Sequence, residues 1–254
     1  AGALAAAKLH IPVAHVEAGM RSFDKTMPEE INRILADHVA ALLLCPTETA
    51  VQNLAMEGLR AGVYMVGDVM YDALLRFLPL ARDRAQVVGE LGLRPGGYVL
   101  ATVHRAANTD DPARLARIIA GLGALPWPVI FPVHPRTQKA LDGAAITLPA
   151  NVRAVPPLGY LEMLAVEQWA RLIVTDSGGV QKEAYMLGVP CLTLRDRTEW
   201  PETVEAGWNV LVDANPEQMA ATARHFAPPS VRPPLFGDGV AAERIASLML
   251  TMAQ

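Results

Sequence analysis

The sequence predicts an α/β protein of two Rossmann-like domains, and three observations lead there. Short runs of β-branched and leucine residues alternate with helical stretches along the whole chain, the rhythm of parallel sheets covered by helices. Hydrophobic residues fill 52% of the 254 positions but aromatics only 6%, so the interior is built from Ala, Val and Leu, as in layered folds. The run at 171–175 (RLIVT) opens through Ser177, Gly178 and Gly179 into a helix. Glycines there remove the side chains that would keep an anion from the first helical N–H groups.

The elements follow in order. Residues 1–9 form an alanine-rich helix and 11–16 (IPVAHV) a buried strand. Pro28 opens the next helix with Glu29 and Glu30 in its first turn, where acid complements the helix dipole. A strand at 41–44, a helix capped by Thr47 and ended near Gly58, and a strand at 63–66 complete a first group. Strands then fall near 98–103, 128–133, 151–155, 171–175, 190–194 and 208–212, with helices between them, which makes a full doubly wound domain. Three strands against six place a first domain at 1–67 and a second, nucleotide-binding one at 68–235. The stretch 228–234 (PPSVRPP) is a linker, and 236–254 holds a C-terminal helix that packs back on the first domain.

Charge and composition exclude several classes. A net charge of −4 argues against nucleic acid or an anionic membrane as partner, so an anionic ligand needs a local basic pocket. Cys45 and Cys191 sit in apolar runs as small buried hydrophobes, and the histidines show no short ligand spacing, so no metal is expected. No apolar run is long enough to span a membrane and the start lacks a signal-type core; a soluble, cytoplasmic protein is expected.

Candidate chemistry clusters at strand ends. Glu183, about one turn into the helix after the glycine pair, suits sugar hydroxyls as an acceptor, which suggests a ribose-bearing nucleotide. Glu17 follows the strand 11–16 at the edge where open sheets bind ligands; capping a loop or pairing with Arg21 is its alternative role. Glu29 alone is a commonplace first-turn acid, but with Glu17 it could supply base and acid on opposite faces of a sugar ring. His104 with Arg105, and His134 with Arg136, stand after two strands of one sheet. One such pair would be a surface feature; two concentrate positive charge at one crevice. Asp176 and the run Arg195, Asp196, Arg197, Thr198, Glu199 read either as a solvated loop network or, because they follow strands beside the glycine pair, as ligand contacts.

HVEAGMRS at 15–22, PEEINR at 28–33, VGD at 66–68, TVHR at 102–105, His134-Pro135, PLGY at 157–160 and the block 176–202 together resemble the non-hydrolysing UDP-N-acetylglucosamine 2-epimerases, over essentially the whole chain. The resemblance implies a GT-B-like pair of Rossmann-like domains facing across a cleft. It implies reversible C2 epimerisation of UDP-GlcNAc to UDP-ManNAc through elimination of UDP to 2-acetamidoglucal and re-addition, for cell-surface polysaccharide precursors, with no cofactor and as a homodimer. Carried onto this chain, Ser177, Gly178 and Gly179 would hold the diphosphate and Glu183 the ribose. Arg105, His134, Arg136 and Arg195 would surround phosphates or sugar, Glu17 and Glu29 would be the acid and base, and His104 would partner the departing diphosphate or carry a proton.

Family members carry a further N-terminal stretch with a basic Gly-rich loop and a third catalytic carboxylate, so the resemblance marks this sequence as N-terminally truncated and 1–67 as the C-terminal part of a first Rossmann-like domain incomplete at its N-terminus. Ala107 stands where the family often has glutamate, and Trp200 where many members have arginine. Two other readings remain: a UDP-sugar glycosyltransferase of the same fold, which would not need Glu17 and Glu29 together, or a non-catalytic UDP-sugar-binding fragment. A hydrolysing epimerase releasing ManNAc is a further variant.

Overall fold

The computed structural model describes residues 1–83 and 86–252. The last two positions of the expected C-terminal segment, 253 and 254, lie outside the described residues. Contacts divide the chain into unit 1, Ala1–Arg76 with Pro234–Gln254, and unit 2, Phe77–Pro233.

Unit 1 begins with α1 (Gly2–Lys8), β1 (Ala14–Val16), α2 (Pro28–Val39), β2 (Leu42–Cys45), α3 (Glu48–Met56) and β3 (Val63–Met65). Its strands pair in parallel in the order β1-β2-β3. Pro28 opens α2 and Thr47 caps α3, its hydroxyl accepting from the Ala50 N–H at 3.3 Å. The expected strand at 11–16 is shorter, because Ile11 and Pro12 are exposed and a proline has no N–H to give a ladder. Leu43 and Cys45 of β2 pack on Ala18, Ala50 and Leu54, while Leu42 and Leu44 on its other face meet Val66 and Ile245. Ile245 belongs to the C-terminal helix, which therefore covers the second face of this sheet.

After α4 (Val69–Asp83) and α5 (Gln86–Glu90), unit 2 runs through β4 (Val99–Thr102), α6 (Ala106–Thr109), α7 (Pro112–Gly123), β5 (Val129–Pro132), α8 (Pro135–Gly143) and β6 (Val152–Val155). It continues with α9 (Tyr160–Gln168), β7 (Leu172–Thr175), α10 (Gly178–Leu187), β8 (Cys191–Thr193), α11 (Pro201–Glu205), β9 (Asn209–Leu211) and α12 (Pro216–His225); α13 (Ala241–Met252) is the C-terminal helix of unit 1. All strand pairs are parallel, in the order β6-β5-β4-β7-β8-β9. Helices cover both faces: Val99, Ala101 and Val174 look into one core with α7, and Leu100 and Ile173 into another with α9 and α10. That is why these strands read as continuous apolar runs rather than as alternation.

The order reverses between β4 and β7. Thr102 and Thr175, 73 residues apart, face each other across that junction with their hydroxyls 2.6 Å apart. Connections leave neighbouring strands in opposite directions there, which opens a crevice at their carboxyl ends.

Candidate functional site

The crevice is built on Asp176. This residue follows β7 and is fully buried. Its carboxylate accepts the His104 N–H at 3.1 and 3.0 Å, the Arg105 N–H at 2.9 Å and the Asn108 amide at 3.0 Å, and the His104 Nδ1 lies 3.2 Å away. Burial pushes the Asp176 carboxyl up, but the bonds and charge of His104 with the donors at Arg105 and Asn108 outweigh it and leave it below the ordinary range. Asp176 is thus a clamp that fixes the loop after β4 against the end of β7, the strand that leads into the glycine pair of α10.

Beyond the clamp, Ser177 caps α10, its Oγ accepting from the Val180 N–H at 3.4 Å, while its own N–H goes to the Thr175 hydroxyl at 2.9 Å. A Cβ placed on Gly178 would lie 3.5 Å from Trp200 Nε1, 3.6 Å from Glu199 Oε2 and 3.7 Å from Arg105 Nη2, so the glycine leaves a methyl-sized space among polar groups at the helix start. Arg195 grips Glu199 with two bonds, 2.7 and 3.1 Å, and Arg105 Nη2 stands 3.6 Å from the same carboxylate. Burial alone would raise Glu199, but the Arg195 bonds and the charges of both arginines hold it at about 2. Two guanidinium groups share one carboxylate here, beside the N-terminus of α10.

A cavity of about 380 Å³ opens at the same strand ends, lined by Thr102, His104, His134, Leu158, Met163 and Ser177 among others. The His104 and His134 rings lie 5.9 Å apart. His134 caps α8, its Nδ1 accepting from the Arg136 N–H at 3.1 Å, so Nε2 is the ring's remaining polar atom.

The structure therefore brings His104, His134 and Ser177 to one cavity and gathers Gly178, Arg105 and Arg195 around Glu199. Arg136 is turned elsewhere, forking onto Asp110 at 3.0 and 3.1 Å and bonding Thr109. Glu183 is largely buried on α10, and Gly179 is the second residue of that helix. Trp200 is buried, with the Lys182 ammonium 4.4 Å above its ring, a cation–π pair.

In unit 1, Glu17 stands just past β1 with φ +64°, a left-handed conformation that costs a non-glycine residue about 1 kcal/mol or more. Glu29 is exposed in the first turn of α2. Arg21 does not pair with Glu17 as one reading expected; it bonds Asp37 at 2.7 Å and forks onto Glu57 at 2.6 and 2.9 Å. Asp37 also bonds His15 at 2.6 Å and the Gly19 N–H at 3.1 Å, and Glu30 accepts from the N–H groups of Ser22 and Phe23, each at 2.9 Å. Asp37 and Glu30 together hold the loop that presents Glu17. Asp37, Asn108 and Glu30 were not among the candidates read from sequence; nothing local in α2 or α6 distinguishes them from surface polar residues.

Two units built on parallel sheets, the six-stranded one doubly wound with the N-terminus of α10 at its switch point, define an α/β architecture of the Rossmann-like kind. The sequence model of the UDP-N-acetylglucosamine 2-epimerase family matches residues 1–250. A UDP-N-acetylglucosamine 2-epimerase homologue of Methanococcus maripaludis is 49% identical over 98% of this chain and 71% of its own length. The UDP-2,3-diacetamido-2,3-dideoxy-D-glucuronate 2-epimerase of Pseudomonas aeruginosa is 46% identical over the same shares, 98% and 71%. Among solved structures, the Methanocaldococcus jannaschii UDP-GlcNAc 2-epimerase in complex with UDP-GlcNAc and UDP superposes with a TM-score of 0.92 at 43% identity, covering 98% of this chain and 72% of that one. The chain belongs to the UDP-N-acetylglucosamine 2-epimerase family. Among the described residues no group of His, Cys, Asp and Glu is arranged to hold a metal, and no helix is long and apolar enough to cross a membrane.

Proposed function

We propose that the chain interconverts UDP-GlcNAc and UDP-ManNAc. The proposal rests above all on the Asp176 clamp and the α10 cradle, set in a chain 43% identical to an epimerase whose crystal structure holds UDP-GlcNAc and UDP. The N–H groups at the start of α10 with Ser177 and Gly178 take the diphosphate, Arg105 and Arg195 supply positive charge, and Glu183 accepts the ribose hydroxyls.

In the elimination, one of Glu17 and Glu29 takes the C2 proton. The C2–H electron pair becomes the C1–C2 double bond, and the C1–O pair leaves with the β-phosphate of UDP. Re-addition reverses these steps, with the other carboxylate returning a proton to the opposite face of C2. His104 faces the cavity beside Ser177 and stabilises charge on the departing phosphate. We further propose a cytoplasmic homodimer serving polysaccharide precursor synthesis, which sedimentation and deletion phenotypes test.

The deciding experiment incubates the chain with UDP-GlcNAc in D2O and follows C2 by proton NMR, with the diacetamido-glucuronate nucleotide run in parallel because a 46% identical relative acts on it. Deuterium at C2 with UDP-ManNAc formed supports the proposal, and exchange confined to the uronate moves the substrate there. Sugar transfer to an acceptor, or UDP binding without any exchange, rejects it.

A further inference from the structure

Helix α9 carries, next to its last residue, a carboxyl that the site described above does not use. Glu167 is fully buried, and neither of its carboxyl oxygens has a hydrogen-bond partner among the described residues. A charge placed there has no donor among the described residues to stabilise it, so burial favours the protonated form. Burial first, and then the charge of Glu183, push its titration well above the ordinary carboxylate range. Among the described residues, the ionisable groups that interact with it electrostatically include Glu183 on α10, the Tyr98 phenol just before β4, the Tyr160 phenol on its own helix and the Cys191 thiol on β8. Each of these becomes negative when it ionises, so none of the four offsets a charge on Glu167.

Glu183 is 7% exposed, on the helix whose first turn carries the Ser177 and Gly178 cradle, and α9 packs directly against that helix. A buried, unpartnered acid behind the nucleotide helix gives nothing to packing that Leu or Met would not give better. We propose that Glu167 is a positioning residue acting through Glu183: while it is neutral, it adds no negative charge behind Glu183, and the hold of unit 2 on a nucleoside diphosphate depends on that proton staying in place. The inference rests on the reading of Glu183 as the ribose acceptor.

Loss of the proton would set a second negative charge behind Glu183. The two carboxylates would repel each other and the incoming diphosphate, and the orientation of Glu183 toward ribose hydroxyls would be lost. Nucleotide affinity therefore falls as pH rises through the titration of Glu167, and nucleotide binding takes up a proton over that range.

Calorimetric titration of UDP into the full chain, over a pH series that starts above the ordinary carboxylate range and runs up to the limit of the folded state, tests this beside Glu167→Gln and Glu183→Gln. The expected result is a fall in native affinity of about tenfold or more, the equivalent of one pKa unit, with proton uptake read from buffers of different ionisation enthalpy. The amide that Glu167→Gln introduces is neutral throughout, so that variant should keep the affinity seen at the lower pH and lose the difference. Coincident pH profiles for the native chain and Glu167→Gln would overturn the proposal. Should that variant not fold, UDP binding by the native chain without proton uptake overturns it equally. If Glu183→Gln binds UDP as the native chain does, it is the ribose reading that fails.

Discussion

Asp176 and His104 are joined through both backbone and side chain: the His104 N–H lies 3.1 and 3.0 Å from the two carboxylate oxygens and its Nδ1 lies 3.2 Å from one of them. The carboxylate accepts from neighbouring residues of a loop 71 and 72 positions away, and so fixes the histidine's main chain as well as its ring.

Asp176→Ala strands these donors in a buried place and should cost about 3 kcal/mol or more. Chemical denaturation measures that, and UDP titration should show weaker binding because the loop bearing His104 and Arg105 is no longer pinned. A variant as stable as the native chain, with unchanged UDP affinity, would remove the clamp from the account.

Glu199, held at about 2, makes a pH prediction. Its folded-state value lies below the unfolded value of ~4.3, so its contribution is fully present above that pH and is lost as pH falls toward the folded value. Glu199→Gln should therefore cost about 3 kcal/mol at neutral pH, and the gap should close when denaturation curves are repeated in acid. A gap that does not change with pH contradicts the assignment.

Asp37 tests the other unit. Asp37→Ala leaves Arg21 and the Gly19 N–H without the acceptor they share, at an expected cost of about 3 kcal/mol. Deuterium incorporation at C2 should fall with it because Glu17 is no longer presented, while UDP binding, assigned to unit 2, should hold. Loss of both together would show that the two effects do not separate.

Gly178→Ala separates binding from folding. The added carbon meets its neighbours at 3.5 Å or more, ordinary contact distances, and alanine favours a helix over glycine by about 0.5–1 kcal/mol. Thermal stability should therefore hold or rise, whereas UDP affinity should drop about tenfold, the loss of about 1.4 kcal/mol, because the methyl occupies space at the helix start. A thermal-shift series with and without UDP reads both.

The strands and the phosphate cradle were legible because their signals are local. LIVT at Leu172–Thr175 is apolar on both faces, and Ser177 and Gly178 follow within three residues of its end. Single-residue candidates such as Glu17 came from the motif around them. What holds those residues in place was not, since Asp37 reaches His15 across 22 positions and Asn108 reaches Asp176 across 68, distances over which no pattern of neighbours carries information. Arg136 shows the opposite limit: its place after a strand suggested the crevice, but a carboxylate at Asp110 lay within its reach. Glu167 was missed because apolar spacing marks a helix face as buried without marking an acid on it as unpartnered.

The Thr102–Thr175 junction has a kinetic consequence. The two strands that frame the crevice are separated by 73 residues, including β5, β6 and the helices around them, so their pairing closes a long loop and belongs among the slow, non-local steps of folding. Until that closure the cradle at Ser177 has no facing wall. A nascent or refolding chain should therefore gain its helices well before it can bind UDP, and stopped-flow circular dichroism run beside UDP binding would separate the two events in time.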